Sequence, residues 1–442
     1  MQDYRAIADG VAEEIALGNL RPGERLPPQR EFAFQRGIAA STAARVYAEL
    51  GKRGLVTGEV GRGTFVRLPL SQQAPALSEP AAAALDLELN FPILDGQAAI
   101  LRDLLTRLLR TNTFDEALRP IGATATQSAR VIAANFLARG TWRPAADSIV
   151  FTGNGRQAIA AALAALAPPG SRLGVEALTY PIIKGLAARL GITLVPLACD
   201  EDGMQPDAIL RAHGATPLSG IYVQPSLHNP LGTSMSTVRR QQMAAILKKT
   251  DLIAIEDGIY SFLVDEEPLA TYAPQNVVLV DSLSKRVAPG TTLGIIAAPP
   301  KIQDRIAASV RSGAWSAMGL SLAIGLQSMA DGTAHRLGGI KRRDAKARQA
   351  MARQALAGLQ VGGDPRAYHL WVELPNHWRA EAFATQAARR GIAIVPASAF
   401  AVLPGHAPNA VRLALSSPPM DLLATGLDVL KRLAASQSDQ FE

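Results

Sequence analysis

Apolar residues at helical spacing open the chain. Ile7, Val11 and Ile15 share one face of a helix predicted over residues 4–17, and Pro22-Gly23 stop it. A second short helix follows the Pro27-Pro28 pair over residues 29–35. Gly37 supplies a turn, and Ser41 is placed to N-cap a third helix running to about Arg53. Leu55-Val56-Thr57 and Gly63-Thr64-Phe65-Val66 then alternate as two strands around Gly58, Gly61 and Gly63. The order is helix, helix-turn-helix, two-stranded wing, an α+β unit over residues 1–70.

Residues 71–84, SQQAPALSEPAAAA, lose all periodicity and carry one charge, which reads as a linker extending to about residue 87. The plainer alternative is a surface loop within one domain. Beyond it the pattern becomes short continuous apolar runs alternating with helices. Runs at 149–151, 172–175, 193–196, 221–223, 252–255, 277–280 and 294–298 predict a mostly parallel sheet buried on both faces. A long helix begins near residue 334. Strands at 369–374, 392–395 and 411–415 and a helix over 379–390 predict a smaller α+β subdomain. The domains expected are 1–70, a linker 71–87, and 88–435, the last split into a large part (about 88–330) and a small part (about 331–435). No internal repeat is present.

Composition narrows the picture little. The longest helix-like apolar run, residues 158–167, is well short of the roughly 18 residues of a membrane span. No signal-peptide core opens the chain, so a cytoplasmic protein is expected. Cys199 is the only cysteine, which excludes an intrachain disulfide and a Cys-rich zinc site. The isolated histidines suggest no metal site. The net charge of +7 is spread over both halves; residues 1–70 hold ten basic and eight acidic residues. Charge alone therefore does not announce nucleic acid. The basic run over residues 336–353 admits a second DNA contact, but a solvated helix face is the favoured reading.

The first unit's chemistry suits duplex DNA. A helix-turn-helix lays its second helix in the major groove, with N-terminal residues at base edges and nearby cations on phosphates. Ser41, Thr42 and Arg45 share a face at the start of that helix, Arg30 sits on the preceding one, and Gly61-Arg62-Gly63 makes a small cationic wing tip. The stretch RPGERLPPQREFA through ASTAARVYAELGKRGLVTGEVGRGTFV resembles the GntR family of winged helix-turn-helix repressors. The resemblance implies DNA-facing Arg30, Thr42, Arg45 and Gly61. It departs at Ala39-Ala40, where the family often has Ser-Arg, so one customary arginine contact is missing. Winged helices also serve as protein-docking modules.

In the second unit, TGNGRQ (152–157) follows a strand and opens a helix, a place where backbone N–H groups and the helix N-terminus favour a phosphate. Asp257 ends a buried strand, where a carboxylate can pair with a protonated pyridine nitrogen. Lys285 follows 28 residues later in Ser282-Leu283-Ser284-Lys285, a lysine able to form a Schiff base beside hydroxyls for a phosphate. Residues 88–435 thus resemble the fold type I aminotransferase family, an α/β pyridoxal 5'-phosphate-dependent transferase-like fold. The resemblance implies Lys285 as the Schiff-base lysine and Asp257 as the pyridinium partner. It further implies Asn229 and Tyr260 on the phenolic oxygen, Tyr180 over the ring, and Gly155, Arg156, Ser282 and Ser284 around the phosphate. Arg412, in AVRLALS, would pair with a ligand carboxylate. Plainer readings are a turn for Asn229, packing for Tyr180 and a structural salt bridge for Arg412. The departure is Thr292, where the family often has a phosphate-neutralising arginine. Arg286 is the nearest cation to replace it, although neighbours at a strand end point in different directions.

The two halves together resemble the MocR subfamily of bacterial transcription regulators. That resemblance implies a homodimer on double-stranded DNA. It implies sensing of an amine or amino acid, or of pyridoxal phosphate itself, through an aldimine at Lys285. The rival reading is a pyridoxal-phosphate-dependent aminotransferase with an appended DNA-binding unit, since the residue set permits catalysis. A third is a DNA-binding protein whose large domain only dimerises.

Overall fold

The computed structural model describes residues 3–16, 19–20, 23–59, 63–66 and 83–436. Helices Tyr4–Ala16, Gln29–Arg36 and Ala40–Lys52 pack around Val11, Phe32, Val46 and Leu50, and strands Val56–Glu59 and Gly63–Val66 pair antiparallel beside them. Gly37 ends the second helix in a left-handed conformation (φ 62°) that most side chains resist. The third helix starts earlier than predicted. Ala39 holds the N-cap position without a side-chain bond, and Ser41 lies inside the first turn. Forgoing a polar cap costs about 1 kcal/mol, which burial of Ala43, Val46, Tyr47 and Leu50 on the inner face outweighs.

The second unit centres on a seven-stranded sheet. Its strands are, in spatial order, Ile149–Thr152, Gly294–Ala297, Val277–Ser282, Ala254–Asp257, Gly220–Val223, Arg172–Glu176 and Thr193–Leu197. Only Gly294–Ala297 runs antiparallel to its neighbours. Helix Gly155–Leu166 packs on one face and helix Pro300–Ser312 lies against it. The continuous apolar runs are explained by this two-sided burial: Val277–Ser282 is buried at all six positions. A second sheet, with strands Gln360–Gly362, His369–Glu373, Ala410–Ala414 and Val395–Pro396, forms the small unit with helices Ala380–Arg389 and Met420–Ala435. The long helix Thr333–Ala355 passes between the two. Among the described residues no helix is long and apolar enough to cross a membrane.

Two expectations change. The end of the predicted linker is structured: Leu85–Asp86 pairs in parallel with Ile392–Ala393, and Leu87 is fully buried in the small unit's core. The strand predicted over 392–395 is therefore two pieces, Ile392–Ala393 on Leu85–Asp86 and Val395–Pro396 on the edge of the second sheet. The basic run is a solvated face only in part. Lys341 and Arg348 are buried, and Lys341 donates to the Lys285 and Val287 carbonyls (3.0 and 2.8 Å). Arg348 donates to those of Leu415 and Pro418 (2.8 and 2.7 Å). Only some of the run, including Arg336, Arg343 and Lys346, faces solvent.

Candidate functional site

The carboxyl ends of the central strands converge on one pocket, the usual place for a ligand in such a sheet. Phe91, Gly155, Arg156, Tyr180, Asn229, Asp257, Tyr260, Ser284 and Lys285 line a cavity of about 70 Å³ there. The turn after Ile149–Thr152 opens helix Gly155–Leu166, capped by Asn154, whose side chain accepts from the Gln157 N–H (3.0 Å). A Cβ on Gly155 would stand 3.1 Å from Ser282 Cβ and 3.2 Å from Ile259 Cδ1, so the close approach requires glycine. Ser282, Ser284 and Thr292 form a triangle of hydroxyls, with separations of 2.6, 2.8 and 3.1 Å. Thr292, the departure noted in the sequence, thus completes a neutral cradle beside a helix N-terminus.

Asp257 is buried at the end of its strand. It accepts from Tyr222 Oη (2.6 Å), the Ile259 N–H (3.0 Å) and Gln224 Nε2 (3.2 Å). Burial raises its pKa and these bonds oppose the rise. Asn229 donates its N–H to Gln224 Oε1 (2.8 Å), while its own Oδ1 is buried without a partner. Tyr260 Oη accepts from Asn90 Nδ2 (2.9 Å). Tyr180 Oη accepts from Arg156 Nε (3.2 Å), which draws that exposed guanidinium across the pocket mouth.

Lys285 donates to the Asn90 carbonyl, and its Nζ lies 3.4 Å from the Phe91 ring centroid. Burial first, then Arg156 and Arg412, push its pKa well below the usual lysine range. The shift favours the neutral amine, the nucleophilic form. Arg412 is buried, donates to the Glu88 carbonyl and has no carboxylate partner among the described residues; its Nε has no acceptor. A salt bridge to a structural carboxylate is thus not its role.

These features fit pyridoxal 5'-phosphate. A buried lysine with a lowered pKa, a buried carboxylate, a hydroxyl cradle at a helix N-terminus and the unpartnered Asn229 Oδ1 surround a single cavity. Arg286 does not belong to this set. It points away from the cradle, pairs with Asp281 (3.0 Å) and stacks 4.4 Å from the Phe136 ring. The helical turn after Ser282 sends residues 285 and 286 in different directions, so Arg286 cannot take the missing arginine's place; Arg156 is the pocket's own cation.

Sequence reading missed Asn90, Phe91, Tyr222 and Gln224. Gln224 and Tyr222 carried a signal, since Gln224 opens QPSLHNP and Tyr222 lies two residues before it on the same strand face. Asn90 and Phe91 carried none, because they reach the pocket from just beyond the linker. On the DNA side, Arg30, Ser41 and Arg45 are exposed and Thr42 is half-buried. Gly61 and Arg62 lie outside the described residues. Among the described residues no cluster of three or more His, Cys, Asp or Glu is arranged for a metal ion.

Comparison with known proteins agrees with both halves. Residues 3–66 match the bacterial regulatory proteins of the gntR family, and residues 92–430 match aminotransferase class I and II. The HTH-type transcriptional regulator YdeF of Bacillus subtilis is 30% identical over 97% of this chain and 94% of its own. The vitamin B6 salvage pathway transcriptional repressor PtsJ of Salmonella typhimurium is 27% identical over 70% of each chain. An archaeal alanine:glyoxylate aminotransferase superposes with a TM-score of 0.73 at 23% identity, over 79% of this chain and 90% of that one.

Proposed function

This chain belongs to the MocR subfamily of GntR-type transcriptional regulators, a helix-turn-helix unit fused to a fold type I aminotransferase-like domain, and from that premise we propose that it binds operator DNA as a cytoplasmic homodimer and senses an amino acid at a pyridoxal phosphate held on Lys285. The single observation that carries the choice of ligand is Arg412. It is a buried cation without a carboxylate partner among the described residues, near enough to Lys285 to lower the lysine's pKa.

Bound pyridoxal phosphate supplies an aldehyde that condenses with amines. The chain's residues do the rest. The Ser282, Ser284 and Thr292 hydroxyls and the start of helix Gly155–Leu166 hold a phosphate. Asp257, kept in place by Tyr222 and Gln224, presents its carboxyl group at the back of the pocket. Lys285 offers an amine whose pKa burial lowers, and Arg412 orients a ligand carboxylate. Arg412 sits on a strand of the small unit, so a ligand spanning Lys285 and Arg412 ties the two units together. The winged helix touches the same small unit: Lys52 Nζ donates to Asn376 Oδ1 (2.7 Å), and His406 Nδ1 lies 3.6 Å from Asp9. A shift of the small unit is thereby passed to the DNA-binding helices.

A second reading, in which pyridoxal phosphate is itself the effector, draws on the neutral cradle. With threonine in place of arginine at 292, the phosphate is held by hydroxyls and a helix end, which suits reversible retention.

The test is an absorbance titration of cofactor-loaded, full-length protein against amines and amino acids, with Lys285→Ala as control. A lysine-dependent band that shifts with an amino acid and stays shifted supports amino-acid sensing. Release of a keto acid with conversion to the pyridoxamine form replaces this reading with a transaminase. No band at any cofactor concentration leaves a dimerisation scaffold.

A further inference from the structure

Behind the cofactor lysine, on the far side of the turn that carries it, lies a larger cavity of about 280 Å³ that the pocket chemistry leaves unused. Arg139, Arg286, Arg342 and His335 line it, with Asp265 as its one carboxylate. Arg286 is 5% exposed, and of its guanidinium nitrogens only Nη2 has an acceptor, Asp281; its Nε is buried and unpartnered. The guanidinium is held between Phe136 and Phe262, with ring centroids 4.4 and 5.4 Å away. Arg342 is fixed by the Phe262 and Val264 carbonyls and pairs with Asp265 (2.6 Å). Arg139 forms no side-chain hydrogen bond or ion pair with a described residue. Asp281 and Asp265 pair directly with Arg286 and Arg342, whereas Arg139 feels Asp281, Glu256 and Asp265 only through space and has no carboxylate in contact among the described residues.

The helix wall of the cavity is also unusual. Gly338 and Gly339 stand in the middle of Thr333–Ala355, where each costs about 1 kcal/mol relative to alanine. A Cβ on Gly338 would stand 3.6 Å from the Arg286 side chain, and one on Gly339 would meet nothing within 4 Å. Packing against the protein does not require a glycine at 339, and the missing side chain keeps the space open.

We propose that this cavity is a binding site for a phosphate or phosphomonoester, held by Arg139 and Arg286 and flanked by Arg342 and His335. A compact anion supplies the direct partner that Arg139 lacks, and its several acceptor oxygens match the free N–H groups of Arg286 and Arg139. Its occupation reaches the cofactor site through covalent and hydrogen-bonded neighbours. Arg286 follows Lys285 directly, and Lys341, one residue before Arg342, donates to the Lys285 carbonyl. The anion thus braces the turn 281–287 from behind.

Calorimetric titration of cofactor-loaded, full-length protein with inorganic phosphate, at ionic strength fixed by chloride, tests the assignment; glycerol 3-phosphate is the organic probe. Loading first keeps phosphate from the hydroxyl cradle. One saturable site per chain is expected for both probes. Arg139→Gln, which orphans no protein acceptor, weakens it by about tenfold or more, while Asp265→Asn at the exposed rim strengthens it. Absence of saturable binding overturns the proposal, as does an affinity indifferent to both Arg139→Gln and Asp265→Asn.

Discussion

Replacing Arg412 separates a carboxylate-reading pocket from one that reads only amines. The guanidinium is buried over the Phe400 ring, spends one donor on the Glu88 carbonyl and keeps Nε without an acceptor. A ligand carboxylate there makes a desolvated, charge-assisted pair. Breaking such a pair costs about 2–5 kcal/mol, which is about 30-fold to several thousand-fold in affinity. Arg412→Gln keeps a donor for the Glu88 carbonyl while removing the charge, so the fold is retained and the full loss falls on the ligand. Arg412→Lys keeps charge but loses the planar fork, and an intermediate loss is expected. The assay is the absorbance titration run in parallel with an amino acid and with the amine of the same side chain lacking the carboxylate. The amino acid should lose affinity and the amine should not. Equal losses for both, or none for either, would refute the assignment of Arg412.

Three further outcomes follow from the same geometry. Arg30→Ala and Arg45→Ala should each weaken duplex binding and lower the slope of log affinity against log salt by about one; gel-shift titrations at several salt concentrations read this, and an unchanged slope removes the residue from the phosphate contacts. Burial raises the Glu176 carboxyl to about 8 and lowers His228 to about 4, so the two face each other as a neutral pair 3.7 Å apart despite ion-pair spacing. The folded carboxyl pKa exceeds its usual 4.5, so its stabilisation is complete below that value and is lost as pH rises through about 8. Melting curves should therefore show wild type losing stability between pH 5 and 9 relative to Glu176→Gln. Gly405→Ala would drive a Cβ into Leu55 at φ +77°, and should change basal DNA affinity and, by reciprocal linkage, the ligand concentration at the midpoint of the absorbance titration; a changed DNA affinity beside an unchanged midpoint would count against the junction as the route of coupling.

The second unit was legible because its chemistry lies at strand ends. Asp257 and Lys285 each follow an apolar run, and the runs are continuous because the sheet is covered on both faces. Asp257 and Lys285 could be paired from their spacing together with the family resemblance, and the structure places both on one pocket. Residues that reach the pocket from elsewhere could not: Asn90 and Phe91 arrive from a segment whose own sequence resembles a loop, and only the pairing of Leu85–Asp86 with Ile392–Ala393 fixes where they go. Arg286 was misplaced for a related reason. Adjacent residues in a helical turn diverge by about 100°, and sequence carries no sign of which cavity each will enter. The basic run misled because periodicity cannot distinguish a cation facing water from one facing buried carbonyls. Lys341 and Arg348 are held by main-chain acceptors that come from other parts of the chain.

The junction between the two units is weak enough to act as a switch. Among the described residues its polar contacts include one hydrogen bond at an exposed site, Lys52 to Asn376, and a His406–Asp9 pair at 3.6 Å in which Asp9 is shared with Arg53. Exposed contacts of this kind contribute about 0–1 kcal/mol each, and Leu55 against the loop at Gly405 adds a small apolar patch. The docked arrangement therefore exceeds an undocked one by only a few kcal/mol. Ligand-driven couplings between sites are typically about 1–3 kcal/mol, the same size. The loop that carries His406 runs directly into Ala410–Ala414, the strand that carries Arg412. On the proposed reading, a carboxylate that repositions Arg412 acts on the strand that continues this loop, and so on the contacts of His406 and Gly405 with the winged helix.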